Sequence, residues 1–484
     1  MYHFLYFSYI DSTKDVKKSI YYYKLKVIYY IILRGGYMNL GFYVNLNKFI
    51  TFGCKVLHRN GNQLPGYFVY DVFKKHDILE HVKFPKIVIA VTGSSGKGST
   101  CQLLKHILED AGLSVSYNES GNNGVLGVVT HILNNCDSKG NFLKQALILE
   151  CDERHLKLIF QKNKPTHMII TNITRDQPAR NGNPEIIFGE IMKSIDDSVH
   201  LIINADDPLV SRVKILHKGQ ITTYGIAKLD SDYLTGDLNN VDFAYCPVCH
   251  TKLKYKYYHY GHIGNYECPN KDFKRGKVDY EITKADINKG VITINNNVVK
   301  LNKNALYEAY ATLAAYSACK EVGINDKKIL YALNKDEIAA KRGKVIKIGK
   351  RPIMMLESKN ENNLSYFQSI KYITEQSGKK AIILGFENVS RRYKLNDLSW
   401  LYDVDFELFN KDNNIEKYYL IGRFRYDVAT RLEYAGIDSN KIVLIDEMNT
   451  LINKVNTTST GDIYTMVCFD MTAKIKELVN NENN

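Results

Sequence analysis

Residues 92–100 form a glycine-rich segment that could bind the phosphates of a nucleotide. The segment reads Thr-Gly-Ser-Ser-Gly-Lys-Gly-Ser-Thr and lies between an apolar strand pattern at 86–91 and a helical pattern at 97–111. Glycines let a backbone turn tightly enough for its N–H groups to converge on phosphate oxygens. The N-terminus of the following helix also favours a bound anion. The predicted phosphate loop consists of Gly93, Ser94, Ser95, Gly96, Lys97, Gly98, Ser99 and Thr100.

Two kinds of side chain in this loop carry specific chemistry. Lys97 supplies positive charge for the terminal phosphates, and Ser99 or Thr100 supplies a hydroxyl near Mg²⁺. A usual phosphate loop has Ser or Thr directly after the lysine, whereas Gly98 stands there in this chain. The residues alone also fit a flexible glycine turn with a solvated lysine. The strand before and the helix after the segment favour nucleotide binding.

Glu150 is the candidate magnesium ligand. It ends an apolar run at 146–149, and the carboxyl ends of parallel strands meet a phosphate loop at one edge of a sheet. A carboxylate oxygen is the hard ligand that Mg²⁺ prefers. The predicted magnesium site therefore combines Glu150 with Ser99. Asp152 and Glu153 fit two interpretations, as functional carboxylates or as acids in the first turn of a helix.

Three of the nine cysteines have the spacing of a metal site. A Cys-Pro-Val-Cys knuckle is followed by eighteen residues and then by Cys-Pro-Asn-Lys, where Lys271 takes the place of a fourth cysteine. Two complete knuckles would hold a structural Zn²⁺ between four thiolates. A metal-free ribbon stabilised by its aromatic residues is the alternative. The predicted zinc ligands are Cys246, Cys249 and Cys268, with the fourth left open among His250, His262, Asp272 and water.

The composition is that of a folded protein with excess positive charge. Of the 484 residues, 45% are hydrophobic and 24% charged, which excludes a wholly disordered or collagen-like chain. A net charge of +13 favours anionic partners. No motif typical of RNA or DNA binding is present, although the lysines and tyrosines near the cysteines would suit it, so no nucleic-acid partner is expected. An odd cysteine number without a secretory signal favours a reducing cytoplasm.

Alternating strand and helix patterns divide the chain into α/β units. Apolar runs of strand length recur after the phosphate loop, each followed by polar or helical sequence, and this predicts a mostly parallel sheet covered on both faces. A second alternation after a basic, irregular stretch near 340–350 predicts a Rossmann-like C-terminal domain. The predicted divisions are a non-native or disordered, tyrosine-rich extension (1–37), a helical segment (38–83), an ATP-binding domain (84–338) with a cysteine insert (243–275), and a C-terminal domain (339–484).

The Gly-Lys-Gly-Ser form of the phosphate loop resembles that of the Mur ligase and folylpolyglutamate synthase superfamily. The segments at 149–153, 171–177 and 204–208 resemble the same superfamily. The Arg-Asp-Gln form of 175–177 and the Asp-Leu-Ser-Trp stretch at 397–400 are similar to the MurT family, as is 422–436. The resemblance extends from about residue 38 to the C-terminal helix.

This resemblance implies a fold, a set of ligands and a partner. It implies a Mur-ligase-like ATPase domain that binds ATP and Mg²⁺, with Asn172 and Arg342 at the nucleotide, and a zinc-ribbon insert. It implies an amidotransferase synthetase subunit that amidates the D-glutamate α-carboxylate of lipid II, at the inner face of the plasma membrane. The partner would be a GatD-like glutaminase, whose catalytic histidine would be oriented by Asp397.

Two other functions fit parts of the sequence. One is a Mur-type or folylpolyglutamate-type ligase that adds an amino acid without a glutaminase. The other is a non-catalytic ATP-binding scaffold, because several family motifs are altered: the segment 307–311 reads Tyr-Glu-Ala-Tyr-Ala instead of containing two asparagines, and Lys271 replaces a cysteine. The Asp-Leu-Ser-Trp stretch favours the MurT-like function over the first of these.

Overall fold

The structure is a computed structural model of the 484-residue chain. Two predicted functional residues, Arg342 and Asp397, lie outside the residues that it describes, as does the segment 1–37. The described residues are 38–119, 122–175, 182–234, 245–302, 305–335, 346–348, 351–357, 363–387 and 398–482.

Seventeen strands are found in the described residues, and they form one large sheet, one smaller sheet and a hairpin. The strands are β1 Ile87–Thr92, β2 Val115–Tyr117, β3 Ala146–Glu150, β4 His167–Ile170, β5 His200–Asn204, β6 Ile221–Ile226, β7 Lys254–Tyr260, β8 Ile263–Glu267, β9 Tyr280–Asp286, β10 Val291–Ile294, β11 Asn297–Lys300, β12 Ile346–Ile348, β13 Arg351–Glu357, β14 Lys380–Gly385, β15 Ile415–Ile421, β16 Ile442–Leu444 and β17 Asp462–Val467.

Fourteen α-helices connect these strands within the described part of the chain. They are α1 Leu40–Val56, α2 Leu64–Tyr67, α3 Lys97–Asp110, α4 Val125–Asn134, α5 Leu156–Ile159, α6 Pro184–Met192, α7 Pro208–Ser211, α8 Val213–Leu216, α9 Leu306–Glu321, α10 Asp326–Leu333, α11 Asn363–Glu375, α12 Arg425–Tyr434, α13 Leu451–Thr458 and α14 Phe469–Glu482. None of these helices combines the length and the apolar character needed to span a bilayer.

The large sheet is mostly parallel, as the sequence predicts. Its strand order is β11-β10-β9-β6-β5-β4-β1-β3-β2, and only the pairs β9–β10 and β10–β11 are antiparallel. Alternate residues of β1 face opposite cores: Ile89 and Val91 pack in the core that contains α3 and α9, whereas Val88 and Ala90 pack in the core that contains α1 and α4. A sheet buried on both faces explains why its central strands are continuous apolar runs.

Helix α3 begins directly at the phosphate loop and is held against the sheet by one apolar stripe. Leu103, Leu104, Ile107 and Leu108 recur at helical spacing, and all four are buried. Gly112, with a φ of +94°, follows the helix in the left-handed conformation that often ends helices. Helix α9 packs along α3 on the same face of the sheet, so the loop at the start of α3 rests on a fixed helix.

The second sheet belongs to the C-terminal part of the chain. Its strand order is β12-β13-β17-β14-β15-β16, and all neighbours are parallel except the hairpin of β12 with β13. Part of the stretch near 340–350, predicted as an irregular linker, is therefore strand: Ile346–Ile348 pairs with Arg351–Ile353. A three-residue edge strand, in which Ile348 is buried, has too short a pattern to be recognised in sequence.

A buried ion pair holds the start of β14. Lys380 Nζ donates to Asp412 Oδ2 at 2.6 Å, and the two side chains are 0% and 5% exposed. Asp412 Oδ1 also accepts a hydrogen bond from the backbone of Asn414. Removing one partner of such a pair leaves the other charge buried without compensation.

We expect Asp412→Asn to lower the free energy of unfolding of the C-terminal part by about 3–5 kcal/mol, the usual effect of removing one member of a buried ion pair. Urea unfolding followed by the fluorescence of Trp400 would measure the change. The double variant Lys380→Met with Asp412→Asn should recover most of the loss, because it leaves no unpaired charge. Equal stability of the single variant and the native chain would show that this ion pair does not stabilise the second sheet.

Candidate functional site

The predicted phosphate loop connects the end of β1 to the start of α3 and requires glycine at two positions. Gly93 has a φ of +123°, and a Cβ there would lie 2.3 Å from Thr171 Oγ1 and 2.7 Å from the backbone oxygen of Asn172. Gly96 has a φ of +82° and immediately precedes α3. The loop therefore packs against the end of β4 with no space for a side chain at Gly93.

Residues that follow β4 hold the loop by hydrogen bonds. The side chain of Asn172 accepts from the backbone N–H of Ser95 at 3.1 Å and donates to its carbonyl oxygen at 3.1 Å. Ser94 Oγ donates to the carbonyl oxygen of Thr174 at 3.1 Å and accepts from its backbone N–H at 2.9 Å. Thr171 Oγ1 donates to the Ser95 carbonyl oxygen at 2.7 Å. The segment 171–174 thus fixes both serines of the loop.

Lys97 is held inside the loop by a buried carboxylate. Its Nζ donates to Glu153 Oε1 at 2.8 Å and also to the carbonyl oxygen of Gly93. Glu153 Oε1 in addition accepts from the Gly93 backbone N–H at 3.1 Å, and the Glu153 residue is only 2% exposed. The ammonium group therefore lies where the loop turns, and its charge is not dispersed in solvent.

Glu150 lies beside the first turn of α3. A Cβ on Gly98 would come 3.3 Å from Glu150 Oε2, so the absence of a side chain at Gly98 leaves that carboxylate oxygen room. The same oxygen accepts from Tyr117 OH at 3.2 Å, and Oε1 accepts from Asn123 Nδ2 at 3.4 Å. Burial, together with the neighbouring Cys101 and Glu150, raises the pKa of Tyr117 well above its usual range. Tyr117 therefore stays protonated as a donor.

The two candidate hydroxyl groups differ in their surroundings. Thr100 is fully buried, and its Oγ1 donates to the carbonyl oxygen of Gly96 at 2.9 Å. Ser99 is partly exposed in the first turn of α3. The donor set of this site, a carboxylate and a hydroxyl beside the N-terminus of α3, fits a Mg²⁺-bound phosphate. Of the two hydroxyl-bearing residues, Ser99 is the more exposed.

The cysteine insert forms a four-donor cluster. The ligand atoms of Cys246, Cys249, Cys268 and Asp272 all lie within 4.8 Å of one another, and the Sγ atoms of Cys249 and Cys268 are 3.4 Å apart. A hydrogen-bonding contact with Thr251 lowers the pKa of the Cys249 thiol, which favours the thiolate that binds metals. Burial raises the pKa of Cys268.

The donors of this cluster fit a tetrahedral metal ion. Zn²⁺ binds four ligands at about 2.0–2.3 Å, and both thiolate and carboxylate serve it. Asp272 joins the cluster, whereas Lys271, at a φ of +64°, forms the turn that precedes it. His262 lies elsewhere, with its Nε2 3.3 Å from Asp207 Oδ1. Among the alternatives that the sequence left open, Asp272 is the one that the structure brings to the three cysteines.

A contact between the two sheets lies near the phosphate loop. Arg175, next to Thr174, places its guanidinium 2.9 Å from Asp403 Oδ2. Asp403 ends the 3₁₀ helix Ser399–Asp403, which contains the buried Trp400 and begins two residues after Asp397 in the chain. The segment 171–175, which holds the phosphate loop, is therefore in direct contact with a helix that lies close in sequence to Asp397, the predicted partner-binding residue.

Several site residues were not identified from the sequence. Tyr117, Asn118 and Asn123 surround Glu150, and the Asn118 side chain pairs with both the backbone N–H and the carbonyl oxygen of Glu150. Asn118 directly follows β2, so its position at a strand end was the available signal. The role of Glu153 was left undecided because sequence spacing does not show which carboxylate faces Lys97.

Two family profiles match the chain. The Mur ligase middle domain matches residues 91–271, which include the phosphate loop, Glu150 and the three cysteines of the insert. The MurT ligase C-terminal domain matches residues 360–471. The first matched region contains β2 to β8, and the second contains β14 to β17.

Curated relatives match most of the chain. The MurT subunit of glutamine-hydrolysing lipid II isoglutaminyl synthase from Staphylococcus aureus (strain COL) is 27% identical over 403 residues, covering 83% of this chain and 89% of the relative. The same subunit from Streptococcus pneumoniae (strain ATCC BAA-255 / R6) is 25% identical over 424 residues, covering 87% and 92%. Both alignments therefore extend over the two sheets and not over the nucleotide domain alone.

A solved structure shares the fold. A pseudomurein peptide ligase type C from Methanothermus fervidus superposes with a TM-score of 0.60 at 20% identity, covering 84% of this chain and 80% of the ligase. At this identity the likeness establishes the Mur ligase architecture and leaves substrate specificity to other observations.

Proposed function

We propose that this chain, which belongs to the MurT family of Mur ligase-like proteins, is the synthetase subunit of a lipid II isoglutaminyl synthase. In this role it uses ATP to convert the α-carboxylate of D-glutamate in the lipid II stem peptide to an amide, which gives D-isoglutamine. The observation that carries the proposal is the pairing of a built phosphate loop around Lys97 with a MurT-type C-terminal domain.

The proposed reaction proceeds by two substitutions. A carboxylate oxygen of D-glutamate attacks the γ-phosphorus of ATP, the bond to ADP breaks, and an acyl phosphate forms. Ammonia then attacks the acyl carbon, inorganic phosphate leaves with that carboxylate oxygen, and the nitrogen loses a proton. Phosphorylation is needed because a carboxylate oxygen is otherwise a poor leaving group, and catalysis of such transfers relies on positioning and charge stabilisation.

Residues of the loop would position and stabilise the phosphates. Backbone N–H groups of residues 96–99 would bind phosphate oxygens, since those of Gly93, Ser94 and Ser95 donate within the protein. Lys97 would offset the negative charge of the phosphates from its place beside Glu153. Glu150 and Ser99 would hold Mg²⁺, which supplies further positive charge when bound. Asn172 would act by fixing the backbone of Ser95. Arg342 is proposed as a further nucleotide ligand.

A second subunit would supply the ammonia. The MurT relatives are named as subunits of glutamine-hydrolysing enzymes, so we propose a GatD-like glutaminase as the partner of this chain. Asp397 would reach into that partner and fix the tautomer of its catalytic histidine, as the third member of a catalytic triad does. The Arg175–Asp403 contact would keep this segment close to the nucleotide site.

The substrate determines the proposed location. Lipid II is held in the membrane by its lipid, so the enzyme would work in the cytoplasm at the inner face of the plasma membrane. The net charge of +13 is consistent with work beside an anionic surface.

The cysteine cluster is proposed to bind a structural Zn²⁺ through Cys246, Cys249, Cys268 and Asp272. When bound, the metal would cross-link the two knuckles of the insert, as structural zinc sites do. Because all four positions of a tetrahedral site are then filled by protein, no catalytic role follows.

A non-catalytic ATP-binding scaffold is the second candidate function. The observation that favours it is Glu308, which is 3% exposed on α9 where the resemblance to the MurT family implies an asparagine. The contacts that hold Lys97 and Glu150 at the loop favour an active enzyme instead.

We expect Lys97→Ala to abolish amidation and to weaken binding of MgATP at least tenfold. The variant removes the ammonium group that the structure holds against Glu153 and the Gly93 carbonyl oxygen. Amidation of lipid II with the co-purified glutaminase, together with calorimetry of MgATP binding, would measure both. Lys105→Ala on the same helix is the control, since Lys105 pairs with Glu119 at a partly exposed position. Full amidation by Lys97→Ala would refute the site; nucleotide binding without amidation by the native complex would favour the scaffold.

We expect Asp397→Asn to abolish glutamine-dependent amidation while leaving amidation from free ammonium largely intact. The variant removes the charge that orients the partner's histidine but leaves the synthetase site unchanged. Parallel assays with glutamine and with ammonium chloride would separate the two activities. Equal loss with both nitrogen sources would show instead that Asp397 acts in the synthetase reaction.

Zinc content offers a test that is independent of activity. Loss of an outer-shell partner lowers metal affinity roughly 10–100-fold. Asp272 is a proposed direct ligand, so we expect Asp272→Ala to lower zinc affinity by at least that factor, whereas Lys271→Ala should leave the affinity unchanged. Metal analysis and competition with a chelator would measure both variants. Unchanged zinc binding by Asp272→Ala, or loss in Lys271→Ala, would overturn the ligand assignment.

A further inference from the structure

The cysteine insert is anchored on the short loop 205–207 that follows β5. Tyr266 OH donates to the carbonyl oxygen of Ala205 at 3.1 Å, and the backbone N–H of Gly264 donates to that of Asp206 at 2.9 Å. Tyr266 is fully buried. The hairpin of β7 and β8 therefore packs directly on the large sheet at the end of one of its central strands.

Asp206 is the centre of this contact. Its side chain is fully buried and accepts from Arg275 Nε at 2.6 Å, from Tyr310 OH at 2.7 Å and from the backbone N–H of Ile226 at 2.7 Å. Arg275 closely follows the second cysteine knuckle in sequence, and its second partner is Glu281 at 3.1 Å. Three different elements thus converge on one carboxylate.

Asp207 links the same loop to the nucleotide segment. Its Oδ2 accepts from the backbone N–H of Ile173 at 2.8 Å, and its Oδ1 accepts from the N–H of Leu209 at the start of α7. His262 of the insert lies 3.3 Å from Oδ1, and both side chains are 0% exposed. One buried carboxylate therefore contacts the insert on one side and the backbone after β4 on the other.

The contact with Ile173 lies at the middle of the segment that holds the phosphate loop. Its neighbours Asn172 and Thr174 make the hydrogen bonds to Ser95 and Ser94. A shift of the Ile173 backbone would therefore move both anchors of the loop together.

We propose that Asp206 and Asp207 are positioning residues for the phosphate loop, and that the insert, through Arg275 and His262, holds them in place. The inference rests on the proposed nucleotide site and goes beyond it, since it assigns the insert a part in nucleotide binding. The insert acts through Asp207, Ile173 and the two serines of the loop.

Attachment of the insert alone would not require these groups. Apolar packing usually stabilises a buried contact at least as well as an ion pair. The charged pair here also needs a glycine beside it, because a Cβ on Gly225 would come 2.5 Å from Asp206 Oδ1 and 2.7 Å from the Arg275 guanidinium. Charged groups with fixed hydrogen-bond geometry specify position, which is what a loop aligned by Ile173 needs.

The test compares nucleotide affinity between two buried Asp→Asn variants. Asp207→Asn retains one acceptor oxygen for the cap of α7 but loses the second acceptor, which binds the N–H of Ile173. We therefore expect the Kd of adenylyl imidodiphosphate, measured with Mg²⁺ present, to rise about three- to tenfold. This is the scale of one hydrogen bond. Asp412→Asn, in the buried pair with Lys380 far along the chain, is the matched control and should leave Kd unchanged. Calorimetry on the full-length protein gives both values.

Kinetics of the complex with its glutaminase supplies a readout that a merely structural role would not move. We expect Asp207→Asn to raise KM for ATP about three- to tenfold with less than a twofold change in kcat, since Lys97 and Glu150 are untouched. Should Asp207→Asn not fold, Arg275→Lys carries the test: it keeps the charge on Asp206 but loses the fork to Glu281, and it should raise Kd for the same analogue above twofold.

Each result has one meaning. No binding of the analogue by the native chain would refute the nucleotide site itself. If the native chain binds the analogue and Asp207→Asn has the same Kd as the Asp412→Asn control, the positioning role is wrong and the nucleotide site still stands. An Arg275→Lys variant with the same Kd as the native chain would show that the insert does not position the phosphate loop.

Discussion

The close approach of the phosphate loop to the end of β4 is the constraint on which the candidate site depends. Gly93 leaves no room for a Cβ against Thr171 and Asn172, and the loop backbone is hydrogen-bonded to that same segment. This places Lys97 where Glu153 and the Gly93 carbonyl oxygen can hold it. Because β1 lies between β3 and β4 in the sheet, the carboxylates that follow β3 and the amide that follows β4 reach the loop from opposite sides.

This arrangement explains how two distant parts of the chain share one site. The segment after β4 contacts the loop through Asn172 and Thr174 and the second sheet through Arg175, which pairs with Asp403. The cysteine insert contacts the same segment through Asp207. A region of four residues, 172–175, is therefore the point at which contacts from the loop, from the C-terminal part through Asp403 and from the insert by way of Asp207 meet.

The sequence predicted the α/β architecture and the mostly parallel sheet, and both are confirmed. Helix α3 and strand β3 were predicted to within one residue because their apolar patterns are local. The strands β10–β12 were missed because they are only three or four residues long, so their pattern is weak. The fourth member of the cysteine cluster could not be chosen from the sequence, because the turn at Lys271 decides which side chain reaches the three cysteines. The assignments of Asp397 and Arg342 stay predictions, since both lie outside the described residues.

The replacement of a fourth cysteine by Lys271 does not by itself indicate a degenerate protein. The turn at Lys271, with its φ of +64°, brings Asp272 to the other three ligands, so the count of four donors is restored one residue later. A carboxylate carries the same formal charge as the thiolate it replaces, so the charge of a filled site would also be kept. The same logic applies at Gly98, where the missing hydroxyl leaves room for Glu150 Oε2 and Ser99 follows directly. In both places a residue with a suitable donor atom therefore stands one position later in the chain.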